Sequence, residues 1–220
     1  MKYAMPRKPV EGTIPRGFAG LSRSDAEGME SHFVGMPVNG NVPYYYEDTE
    51  PERTRAMNEI VENPFPITAE GLSQGEELYD IYCGICHGEK GGGLGYLVRD
   101  DGGVYPAQPA NFLLPEFVEA SEGRYYHSIM YGKNVMGSYA DKLSFKERWD
   151  VIHYIRSLQA DELKLTYDEN SNTLNEVGVP YATVAHLYEQ AAQDHDHEHM
   201  HDEDDHHGEG EHGHDHEHEH

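Results

Sequence analysis

The stretch Cys83-Gly84-Ile85-Cys86-His87 uses both cysteines of a 220-residue chain and ends in histidine. Two thiols separated by two residues share one helical turn, so both can add to the vinyl groups on one edge of a porphyrin. A histidine placed directly after them turns its imidazole under the iron as proximal ligand. Three other chemistries fit the pattern less well. A disulfide is strained across so short a loop and leaves the histidine without a role. Structural zinc needs about four ligands, and no second cysteine pair is present. A thioredoxin-like redox pair wants a βαβ context, whereas the residues ahead of Cys83 have helical spacing. The motif therefore implies one covalently bound haem c, held by Cys83 and Cys86 with His87 on the iron.

An electron-transfer haem wants a second axial ligand, and a methionine thioether is a soft donor that raises the potential. Met136 lies in the Gly-rich stretch Gly132-Lys133-Asn134-Val135-Met136-Gly137 and is the candidate. Met130 falls in the apolar pattern Tyr126, Ile129, Met130 and reads as a core residue of a helix.

Two helices must position these groups. Residues 71–82 place Leu72, Gly75, Leu78, Tyr79 and Tyr82 at three-to-four spacing, running into the motif. Ser144-Phe145-Lys146-Glu147 forms a capping box, followed by an apolar stripe of Phe145, Trp149, Ile152, Ile155 and Leu158. Gly75 is costly inside a helix unless another backbone approaches it closely. A crossing of these two helices at Gly75 would close one wall around the cofactor.

Gly75, Tyr79, Cys83, Cys86 and His87, a Gly-Met loop at Met136, and then Trp149, Ile152, Tyr154, Ile155 and Leu158 in that order resemble a class I cytochrome c. The likeness implies a mainly α fold and covers about residues 66–160. Gly137 departs from it, standing where many such proteins have proline after the ligating methionine. The resemblance also implies a proline carbonyl that holds the other nitrogen of the proximal imidazole. Pro106 and Pro109 are both candidates for it.

The runs Pro9-Val10-Glu11-Gly12-Thr13 and Asn63-Pro64-Phe65-Pro66 extend the likeness. With them, residues 6–162 resemble the mono-haem cytochrome c subunit of bacterial alternative complex III. That resemblance implies a quinol-oxidising membrane complex with multi-haem, iron–sulfur and integral membrane partner subunits and a downstream redox acceptor. The chain would be an electron-transfer subunit, not an enzyme by itself. It would lie on the periplasmic side of the inner membrane, since bacterial haem c is attached outside the cytoplasm.

Residues 1–30 lack the apolar run of a signal peptide, and no stretch is long and apolar enough to span a membrane. Attachment through partner subunits is the expectation, unless an anchor lies upstream of residue 1. Neither cysteine is free to carry a lipid.

The chain divides into four parts. Residues 1–65 form an extended arm rich in Pro, Gly and Tyr, with a short helix near 50–61. Its aromatics (Phe18, Phe33, Tyr44, Tyr45, Tyr46) suit an arm that orders against its own haem domain or a neighbour. The cytochrome domain is 66–162. Residues 163–193 make an extension with helical spacing over 179–193, capping the domain or docking elsewhere. Residues 194–220 are a tail with a disordered composition.

That tail holds 11 of the chain's 16 histidines and 12 of its 41 acidic side chains. His195, His197, His199, His201, His206 and His207 are candidate ligands for a divalent metal such as zinc, nickel or copper. The net charge of −25 is thus inflated by the tail. Residues 66–160 still carry 13 acidic against 8 basic side chains. Such a surface excludes nonspecific nucleic-acid binding and favours a neutral or basic redox partner.

Four functions remain in view. A freely diffusing periplasmic cytochrome c is the main rival to the complex subunit, and the sixty-residue arm argues against it. Catalysis at haem, as in peroxide reduction, would require Met136 to vacate the iron. Metal handling by the tail would make the cytochrome an anchor.

Overall fold

The computed structural model describes residues 44–98, 105 and 107–189. Among these it is helical, with three isolated β-bridges and no strand. The helices are α1 (Glu50–Glu59), α2 (Ala69–Tyr82), α3 (Gly84–His87), α4 (Pro115–Val118), α5 (Glu122–Tyr131) and α6 (Phe145–Leu163).

α2 begins two residues ahead of the sequence expectation, because the Thr68 hydroxyl caps it by accepting from Gly71 N at 2.9 Å. α6 begins where the capping box predicts. Ser144 N donates to the Glu147 carboxylate at 2.6 Å, and Glu147 N donates to Ser144 Oγ at 3.4 Å. It ends at Lys164, whose left-handed φ of 59° closes the last turn.

α2 and α6 make the most extensive helix contact. A β-carbon at Gly75 would collide with the Asp150 carbonyl, so glycine is what lets the two backbones meet. Around that crossing Leu78, Tyr79, Tyr126, Ile129, Phe145, Trp149, Ile152 and Ile155 form the main core. Tyr126 stacks on Trp149 at 4.4 Å. Each large apolar side chain buried there contributes roughly 1.5–3 kcal/mol. Met130 is half-buried against this cluster.

The described part of the arm is ordered on its own haem domain. Tyr44 packs against Tyr126 at 5.3 Å and its hydroxyl meets His127 Nδ1 at 2.9 Å. Tyr131 OH donates to Tyr46 O, whereas Tyr45 is exposed. α1, two residues shorter than expected at its end, lies along α5.

Residues 164–182 also fold back onto the domain. Ile67 N donates to Val179 O at 2.7 Å and Tyr181 N to Ile67 O at 3.0 Å, giving a parallel bridge. Ile67, Ala160 and Tyr167 make a second small core. Residues 181–189 are helical. The chain divides into compact units at 182/183. The arm ahead of residue 44 and the histidine tail, with His195, His197, His199, His201, His206 and His207, lie outside the described residues. No described helix is long and apolar enough to cross a membrane.

Candidate haem site

The haem motif is nearly continuous with α2. Cys83 N donates to Tyr79 O at 2.8 Å, and Cys83 O accepts from both Cys86 N and His87 N, at 3.1 and 2.9 Å. One helical turn thus carries both thiols and the imidazole, as the spacing requires. The thiols are free and partly buried. Desolvation pushes Cys83 up to about 12 and raises Cys86, so both are protonated thiols at neutral pH.

His87 is buried, and burial lowers its pKa while a backbone carbonyl works against that. The carbonyl is Ala110's, 3.0 Å from Nδ1. Because a carbonyl can only accept, Nδ1 carries the proton and Nε2 keeps its lone pair. Pro109 does not supply this bond: it lines the same cavity one residue too early. Pro106 lies outside the described residues. Turn geometry, which sequence spacing does not encode, decides which carbonyl reaches the ring.

Phe112 stacks on His87 at 4.4 Å with 15° between planes. It is held from α6, since Gln159 Nε2 donates to Phe112 O at 2.7 Å and to Tyr125 OH at 2.8 Å. Arg156 in turn donates to Gln159 Oε1 at 3.0 Å and to Glu122 Oε1 at 3.0 Å. This buried polar network fixes the wall beside the imidazole, with Arg156 also bonded to the carbonyls of Val118 and Ala120. Two polar residues three apart beside the apolar face of α6 were its only trace in the sequence.

Met136 lies between α5 and α6 in a tight reversal. Met136 N donates to Lys133 O at 2.9 Å and Lys133 N to Met136 O at 3.1 Å. Asn134 supplies the left-handed φ of 55° that this turn needs. Tyr105 OH donates to Val135 O at 2.8 Å, tying the loop to the far side of the site. A side chain at Gly137 would meet open space, so proline's absence there removes no contact.

Cys83, Cys86, His87 and Met136 line one cavity of about 380 Å³, with Phe112, Tyr125, Ile129, Tyr139, Val151 and Ile155 among its apolar walls. Met130 is not among the lining residues. The donor set suits a haem: two protonated thiols for thioether links, an imidazole with Nε2 free, and a thioether. Residues 70–155 match the family model described as cytochrome c oxidase, cbb3-type, subunit III. They form a c-type cytochrome haem domain. Among curated proteins none matches the chain significantly. The matched stretch runs from the start of α2 to Ile155 on α6, so α1 and the fold-back after α6 lie outside it.

No group of three or more His, Cys, Asp or Glu side chains with metal-site geometry occurs among the described residues. The cytochrome site instead collects its donors from a helical turn and a loop.

Proposed function

We propose that this chain carries electrons through one haem c as a subunit of a membrane-bound, quinol-oxidising respiratory complex. The observation that carries the reading is that Cys83, Cys86, His87 and Met136 line a single cavity. When bound there, haem supplies the reversible ferric–ferrous couple. Cys83 and Cys86 hold its edge, His87 offers Nε2 and Met136 its thioether, while the apolar walls exclude water and keep the dielectric low. The Ala110 carbonyl and the Phe112 ring hold the imidazole still, so little rearranges as the electron arrives or leaves.

Residence in a complex rests on the likeness of residues 6–162 to the mono-haem subunit of alternative complex III. The oxidase-subunit description of the matched family supports a complex-bound role as well. The chain would sit on the periplasmic side of the inner membrane, held by partner subunits, with a redox acceptor beyond. Its surface charge favours a neutral or basic face on that acceptor.

The test is capture from detergent-solubilised membranes on immobilised nickel, using the chain's own histidines. A denaturing gel stained for haem follows. The expected result is a haem-positive band at about the 24.9 kDa mass of the chain, co-eluting with multi-haem, iron–sulfur and integral membrane proteins. A haem-positive chain recovered alone from the soluble periplasm would make it a diffusing carrier. A band without stain would remove the haem assignment itself.

A further inference from the structure

The cavity that Cys83, His87 and Met136 line also has a cationic side. Arg53, Arg124, Ser128 and Lys133 belong to the same lining. Arg53 comes from α1, outside the matched stretch of 70–155, and the other three come from α5 and the loop after it.

These side chains are held in place. Arg53 Nη1 donates to Ser128 Oγ at 2.9 Å, and that hydroxyl donates to Arg124 O at 2.8 Å. Arg124 Nη1 donates to Glu116 O at 2.7 Å, and its guanidinium lies 4.0 Å from the centre of the Phe117 ring. α1 is itself pinned to α5. Gly123 N donates to Ile60 O at 2.8 Å and Ser121 Oγ to Met57 O at 2.6 Å. A β-carbon at Gly123 would collide with the Ala56 carbonyl, so the two helices touch backbone to backbone three residues from Arg53.

Lys133 pairs with Glu50, but among the described residues neither Arg53 nor Arg124 forms an ion pair with a carboxylate. Burial is the main influence lowering the Arg53 pKa; Glu50 opposes it, and the Arg124 charge adds to it. Tyr44 ahead of α1 and His127 on α5 also feel the Arg53 charge. Two like charges, half-buried on one cavity wall, are costly unless the occupant brings negative charge. Haem is a dicarboxylate, and a guanidinium is the side chain best shaped to grip a carboxylate with two parallel bonds.

We propose that Arg53, held by the Ser128 hydroxyl, and Arg124, held by the Glu116 carbonyl, form the clasp that receives the haem carboxylates, making α1 a wall of the cofactor site. The proposal rests on the haem reading above. It gives the ordered segment 44–60 a role beyond stabilising the fold. Arg53 and Arg124 are positioning residues that set where the porphyrin sits and how much negative charge the iron feels.

The test uses the full chain with its covalent haem, and the variants Arg53→Gln, Arg124→Gln and Arg53→Lys. Two quantities are read: the propionate-bending band in the resonance Raman spectrum and the ferric–ferrous ratio in a spectroelectrochemical titration. Both glutamine variants should shift the band. Each should also move the ratio at a fixed potential toward ferric by about tenfold, as expected for removing a unit charge ~10 Å away at an effective dielectric of ~20. Arg53→Lys keeps the charge and should retain most of the wild-type potential. Attached haem with an unmoved band and ratio in both glutamine variants overturns the clasp, whatever happens to the melting temperature. Wild-type protein without covalent haem overturns the haem reading instead. If Arg53→Gln does not fold, Arg124→Gln reads the same two quantities.

Discussion

Met136 brings a thioether to the cavity that His87 enters from α3, and replacing it separates ligation from packing. Met136→Ala should lower the haem potential, because thioether ligation favours the ferrous state. It should also open the iron to carbon monoxide in the ferrous form and to cyanide in the ferric form. Redox titration and visible spectra with each ligand check this; unchanged potential with no ligand uptake would mean that Met136 only packs. Residues of this kind were legible in the sequence because their chemistry dictates identity and spacing. Cys83, Cys86 and His87 must share one turn, and Met136 stands out as a methionine in a Gly-rich loop between two helical stretches. The Ala110 carbonyl was not legible, because every residue has a carbonyl and loop backbone decides which one reaches Nδ1. Arg53 was missed for a related reason: an arginine on a polar helix looks solvated until α1 is docked on α5.

Helix positions were readable where a local signal exists. The Ser144 capping box starts α6, and Gly75 marks the α2–α6 crossing because two backbones collide with any β-carbon there. The fold-back of residues 164–182 had no such periodic signal and rests on long-range contacts made one at a time. His153 on α6 is the chief of these. Nδ1 meets Tyr167 OH at 2.7 Å, and Nε2 meets Phe65 O at 3.0 Å. A carbonyl needs a donor, so Nε2 carries the proton and Nδ1 accepts from the tyrosine. Burial depresses the His153 pKa to about 4; the Phe65 carbonyl opposes this, and the charges of Lys146 and Arg156 add to it. Between that value and the ordinary 6.5 the unfolded chain binds a proton that the folded chain refuses. Stability from the neutral ring is therefore complete above pH 6.5 and lost as pH falls toward 4, by about 3 kcal/mol at most. Burial raises Glu122 and Asp150, which act with the opposite sign, so the comparison must be with a variant. Urea midpoints at pH 7 and pH 4.5 should fall further in wild type than in His153→Gln. Equal losses in both would show that His153 does not set the acid sensitivity.

At the scale of the whole chain, two kinds of sequence meet: a cytochrome domain that needs an apolar core and a tail that cannot make one. Residues 194–220 contain no Lys or Arg, while residues 66–160 carry 13 Asp or Glu against 8 Lys or Arg. Like charge gives the tail no electrostatic reason to fold onto the haem domain, and at an ionic strength of 0.15 M charges farther apart than about 8 Å are largely screened. Imidazole and carboxylate, which alternate irregularly along the tail, are side-chain types that ligate divalent metals. The donors named for the haem site, Cys83, Cys86, His87 and Met136, together with the Arg53–Arg124 wall, come from residues 53–136. Removing residues 194–220 should therefore leave the haem absorption spectrum and midpoint potential as they were, while retention on immobilised nickel falls sharply. Both are measured on the same preparation of full and shortened chains. A shifted potential in the shortened chain would mean that the tail's negative field reaches the iron, and metal binding to its histidines would then become a means of tuning the electron transfer.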